Sequence, residues 1–168
     1  MENQITKIPK RKHPRMKFFD YSSNGNYFVT ICVQDRKQIL SSIVDGTVVL
    51  TPYGEIVRNE LLDLEKRYLF LKIEKYVIMP NHIHVLLQFQ HVENNDSAAA
   101  SHRPTLCDLM CEYKSLSTRK INKQYTYGKV FQTSFYEHVI NNNEDWSNTW
   151  DYIDNNPLTW PTDELYTQ

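Results

Sequence analysis

The chain has 168 residues, 40% hydrophobic and 23% charged, with a mean hydropathy of −0.58. At roughly 100–200 residues per domain this is one globular domain able to bury a core, which excludes a large multidomain enzyme and a disordered chain. No window approaches the roughly 18 apolar residues of a membrane span, and the polar start lacks an apolar signal core, so we expect a cytoplasmic protein with no membrane partner. The net charge of −1 conceals segregation. Lys7, Lys10, Arg11, Lys12, Arg15 and Lys17 crowd together without an acid, and a second cationic stretch runs from Arg103 to Lys129, whereas residues 130–168 carry seven acids and no Lys or Arg. A basic arm over 1–17 ahead of a single domain over 18–168 suits a polyanion, although a solvated tail has the same composition. Three cysteines, Cys32, Cys107 and Cys111, form no disulfide framework and are expected to be buried thiols.

Taken in chain order, Asn26–Gln34 is rich in β-branched and aromatic residues at a period near two and predicts a strand. Asp45-Gly46 separates two short β-prone runs, Gln38–Val44 and Thr47–Leu50, as a hairpin turn does. Thr51-Pro52 starts a helix, with Tyr53, Ile56, Val57, Leu61, Leu64 and Tyr68 along one face. Leu69–Ile78 and His82–Gln90 are strands joined at Met79–Asn81, and the polar, Ala/Ser-rich 91–104 is a loop. Thr105–Asn122 is a helix with Leu106, Leu109, Met110, Tyr113 and Leu116 inward; a short strand is expected around Val130-Phe131. Asn143–Asn155 is a final helix, acidic in its first turn, with a buried stripe of Trp146, Trp150 and Ile153. The order predicts an α+β domain on an antiparallel sheet.

Two places can carry chemistry. Side chains two apart on a strand share a face, so His82 and His84 can converge on one ion while Ile83 points into the core. The pattern equally describes two half-exposed histidines at a strand start, and imidazole alone does not identify a metal. Tyr152 and Asn156 are spaced i, i+4, which puts phenol and amide on one side of the last helix, and Tyr152 lies off the Trp146/Trp150/Ile153 stripe. Asn156 precedes Pro157, which disfavours helical geometry there and predicts a frayed end. Tyr136, in Phe135-Tyr136-Glu137-His138, is the rival tyrosine.

The run Tyr76-Val77-Ile78-Met79-Pro80-Asn81-His82-Ile83-His84-Val85-Leu86-Leu87 resembles the His-hydrophobic-His segment of single-strand DNA transposases that use one tyrosine, closely the REP-associated tyrosine transposases. The resemblance continues in Tyr27-Phe28-Val29-Thr30, Tyr113-Lys114-Ser115, Val130-Phe131-Gln132, Phe135 to Ile140, Asp151-Tyr152-Ile153 and Asn156-Pro157, over about residues 18–160. It implies a ferredoxin-like antiparallel sheet with packed helices, the HUH nuclease fold. It further implies His82, His84 and Asn156 as ligands of a divalent metal, Mg²⁺ or Mn²⁺, with Tyr152 as nucleophile. Single-stranded DNA beside a hairpin is the implied partner, contacted by the arm, Lys114 and His138, with the protein a monomer or homodimer. The chain departs from the pattern at Phe131, where the family often has Trp, at Asn141, where it often has Arg, and through 91–104.

The residue types suit that chemistry. A phenol of pKa about 10 attacks weakly until its proton is drawn off and the phosphate is polarised. The implied product is a 5′-phosphotyrosine link that conserves the phosphodiester, so a later 3′ hydroxyl can rejoin strands. Two other readings remain at this level: a hairpin-binding protein without turnover, distinguished by chelator-insensitive binding and no cleavage, and a zinc hydrolase resting on His-x-His alone.

Overall fold

The computed structural model describes residues 20–91 and 103–166; the six basic residues of the arm, Lys7 to Lys17, and most of the 91–104 loop lie outside the described residues. Alternation along Gly25–Cys32 makes β1, with Tyr27, Val29 and Ile31 fully buried on one face. Ser41–Val44 (β2) and Thr47–Leu50 (β3) form a separate two-stranded sheet. Asp45 (φ 50°) and Gly46 (φ 72°) both adopt the left-handed geometry that a two-residue hairpin needs. Pro52–Arg67 is α1, capped as expected by the Thr51 hydroxyl, which accepts from the Gly54 amide. Gly54 has a packing reason: a Cβ there would run into the Leu40 carbonyl oxygen.

Leu71–Ile78 (β4) and His82–Phe89 (β5) form the expected hairpin, with Leu69 left exposed before it. Leu106–Tyr125 is α2, closed by a Thr105/Asp108 capping box. Tyr136–Ile140 is β6 and Asn143–Asn155 is α3, capped by Asn142. The main sheet runs β4-β5-β1-β6 with every neighbouring pair antiparallel, which is the α+β architecture expected. Helices α1 and α2 cover one face over Tyr27, Val29, Ile31, Ile83, Val85 and Leu87. Helix α3 covers the other, where Ile153 and Trp160 meet Leu86 and Val77.

Four expectations need correction. The segment around Val130-Phe131 is not a strand: Phe131 makes one bridge, to Val33, and the pairing strand begins at Tyr136. Lys114 Nζ binds the carbonyls of Gln132 (3.1 Å) and Thr133 (2.6 Å), holding them off the ladder. The true strand hid because its inward residue is polar: Glu137 is buried and accepts from Tyr21 Oη at 3.0 Å. Only Cys32 is a buried thiol, since Cys107 and Cys111 lie off the inward face of α2 set by Leu106, Met110, Tyr113 and Ser117. Trp146 and Trp150 are half-buried, because α3 lies toward the β4 edge and Lys75 caps the Trp150 ring at 3.9 Å. Asn156 is helical (φ −56°, ψ −43°) despite Pro157, its side chain buried and tied to the segment beyond.

Candidate active site

Register explains the site. On the α3 face the row Val77, His84, Thr30, Tyr136 crosses the four strands, because Val77 pairs with His84, His84 with Thr30 and Thr30 with Tyr136. His82 lies two residues along from His84, and the two rings are 4.5 Å apart between centroids. Helix α3 and the short turn Trp160–Thr162 close over this row and leave a cleft of about 480 Å³, lined in part by His84, Tyr136, Tyr152, Asn156 and Asp163.

The surroundings of each ring determine which nitrogen is offered. Asn81 Nδ2 donates to the Leu165 carbonyl at 2.8 Å, which turns its Oδ1 toward His82 Nδ1, also at 2.8 Å. His82 therefore carries its proton on Nδ1 and presents a lone pair at Nε2, which is buried with no hydrogen-bond partner. His84 Nδ1 meets Thr30 Oγ1 at 2.8 Å and leaves Nε2 3.4 Å from Tyr152 Oη. Burial holds both imidazoles neutral. It pulls His82 down to about 4, opposed by Asp163 and reinforced by Arg36, and puts His84 well below its ordinary value, with His82 adding to the effect.

Asn156 donates from Nδ2 to Asp163 Oδ2 at 2.8 Å, and its Oδ1 is buried without a donor. His82, His84 and Asp163 bring one ligand atom each within 4.8 Å of one another. His82 Nε2, Asn156 Oδ1 and the Asp163 carboxylate, with His84 Nε2 beside the Tyr152 hydroxyl, make a cluster rich in lone pairs, a donor set that suits a divalent cation. Asp163 was missed from sequence because it lies beyond α3 among other surface-like acids, and only the Trp160–Thr162 turn brings it back.

Tyr152 sits on α3 with its ring edge toward His84 (5.1 Å between centroids) and Phe28 (5.9 Å), 46% exposed and facing the cleft. Burial of the phenol, with Asp163 and Glu164 nearby, pushes its pKa up to about 12. The expected residues thus divide. His82, His84, Tyr152 and Asn156 converge, and Tyr136 lines the same cleft. Lys114 lies on the α2 side and is committed to backbone carbonyls. His138 is on β6 and bonds both Asp145 oxygens, at 2.9 and 2.8 Å, pinning the first turn of α3.

Fold and site define a class: an antiparallel-sheet domain that presents paired imidazoles beside a phenol borne on a C-terminal helix. No family model matches the chain. It is 27% identical over 139 residues to a Haemophilus influenzae protein provisionally named a REP-associated tyrosine transposase, covering 83% of this chain and 73% of that one. It is 23% identical over 142 residues to the Escherichia coli REP-associated tyrosine transposase, covering 82% of this chain and 69% of that one. A solved REP-associated tyrosine transposase bound to a REP hairpin superposes with a TM-score of 0.55 at 18% identity, covering 86% of this chain and 72% of that one. The chain is a diverged relative of the REP-associated tyrosine transposases and has their fold.

Proposed function

We propose that this protein cleaves and rejoins single-stranded DNA beside hairpins through a 5′-phosphotyrosine intermediate, with Tyr152 as nucleophile. The observation that carries the reading is the placing of Tyr152 Oη 3.4 Å from His84 Nε2, beside the orphaned acceptors of His82 and Asn156. His82, His84, Asn156 and Asp163 would hold a divalent cation. When bound, that cation would supply charge to polarise a non-bridging phosphate oxygen and favour ionisation of the phenol. Helix α3 fixes Tyr152 at the cleft mouth, where a phosphodiester can enter from solvent. The bond from Oη to phosphorus forms as the bond from phosphorus to the 3′ oxygen breaks; the phenol proton leaves to water, and the departing oxygen takes one up. The named hairpin of the structural relative supports a hairpin-bearing strand as substrate.

A second reading, hairpin binding without turnover, is favoured by one feature: burial and two acids make the phenol a weaker acid than usual. Incubation with labelled hairpin oligonucleotides and Mn²⁺ or Mg²⁺, followed by denaturing electrophoresis, separates the two. Turnover predicts a chelator-sensitive covalent band, and binding alone predicts retention without any such band.

A further inference from the structure

The cleft gathers more negative charge than one divalent cation would balance. Tyr152 must become an anion, the phosphodiester is another, and Asp163 and Glu164 already line the walls. Arg36 is the only lysine or arginine among the described lining residues.

Its backbone is unusual. Directly after β1 the chain turns through two consecutive non-glycine residues in left-handed geometry, Asp35 (φ 57°, ψ 20°) and Arg36 (φ 55°). Glycine would adopt that geometry without a Cβ penalty, so an arginine here is strained, and such strain collects where a side chain must be aimed. The turn is fixed at both ends. Val33 N donates to Asn81 O at 2.9 Å, tying it to the residue before His82. Gln34 N donates to Val130 O at 2.8 Å, and Leu40 N to Pro80 O at 3.0 Å. The turn is therefore referenced to the histidine strand itself. The Arg36 charge reaches the site, since it disfavours protonation of His82.

Resting on the transferase reading above, we infer that Arg36, which lines the same cleft as Tyr152, grips the scissile phosphodiester, its guanidinium donating to the non-bridging oxygens and stabilising the charge that develops as the phosphorus changes partners. A planar, permanently charged fork suits two such oxygens, which a lysine matches only as a point charge.

The test uses the full chain and a series of hairpin oligonucleotides, each with one uncharged methylphosphonate at a different linkage. Arg36→Gly relieves the left-handed strain, so its melting temperature should equal or exceed that of the parent, which removes misfolding as an explanation. We expect covalent capture to slow by about 100-fold or more, Arg36→Lys to be intermediate, and the deficit to collapse at the one linkage where the phosphate is neutral. A second arm measures binding in the Tyr152→Phe background, where no chemistry is needed. There Arg36 should discriminate against methylphosphonate at that linkage, and Arg36→Gly should not. Capture by Arg36→Gly at the parental rate, or an equal loss at every linkage, overturns the inference. If the parent captures no hairpin at all, the transferase reading fails, and equal binding by both proteins to charged and neutral linkages then overturns the phosphate grip separately.

Discussion

The two faces of one sheet do different work with alternate residues of the same strands. Along β5, Ile83, Val85 and Leu87 point to α1 and α2 and contribute hydrocarbon, while His82 and His84 point to α3 and contribute lone pairs. The two histidines are as deeply buried as the three apolar residues, but burial stabilises the apolar set and costs the polar one. Apolar groups gain from leaving water, whereas His82 Nε2 and Asn156 Oδ1 lose hydration and find no donor, about 1–3 kcal/mol for each such group. A fold keeps that imbalance where the groups have work to do.

The two faces should separate most sharply at the phenol. Tyr152→Phe should abolish covalent capture of hairpin DNA while hairpin affinity, measured by mobility shift, persists; Tyr136→Phe should leave capture intact. Next come paired substitutions on the two faces. His84→Ala should cut the capture rate by more than about 100-fold because it removes a proposed ligand, and should cost about 1–3 kcal/mol of stability because it leaves the Thr30 hydroxyl without its partner. Leu87→Ala, three residues on and on the opposite face, should cost about 2–5 kcal/mol of stability with capture per folded molecule preserved.

The pH dependence sharpens the contrast further. His82 stays neutral in the folded protein down to about 4, whereas in the unfolded chain it protonates near 6.5. Between those values the unfolded state binds more protons, so stability that is present above 6.5 is lost as the pH falls through 4. At about 1.4 kcal/mol per pKa unit the loss is a few kcal/mol, and His84 shifts in the same direction. Chelated protein should melt progressively lower across that range, and a His82→Gln/His84→Gln double variant should flatten the curve. Smallest is the rim: Lys75→Ala removes a cation over Trp150 and an ion pair to half-exposed Asp154, and should cost no more than about 1 kcal/mol of stability and nothing in capture.

What was legible in the sequence follows the same division. The apolar face could be read because periodicity and caps are local: Thr51, Thr105 and the Asp45-Gly46 turn all sit where their chemistry places them. His82 and His84 were legible as a pair on one face from strand period alone. Their partnership with Tyr152 and Asn156 was not, because it depends on which way α3 crosses the sheet, and only the family resemblance joined them. Glu137 hid β6 by putting a carboxylate where an apolar residue was expected, its burial made tolerable by Tyr21. Asp163 and Arg36 carry no local signature, since each reaches the cleft through a turn whose position is set by distant backbone bonds.

The nucleophile can be identified by trapping the protein–DNA adduct with a hairpin oligonucleotide, digesting both components, and locating the nucleotide-bearing peptide by mass spectrometry. The added mass is expected on Tyr152, in the peptide spanning α3. The same mass on Tyr136, across the cleft on β6, would contradict that assignment.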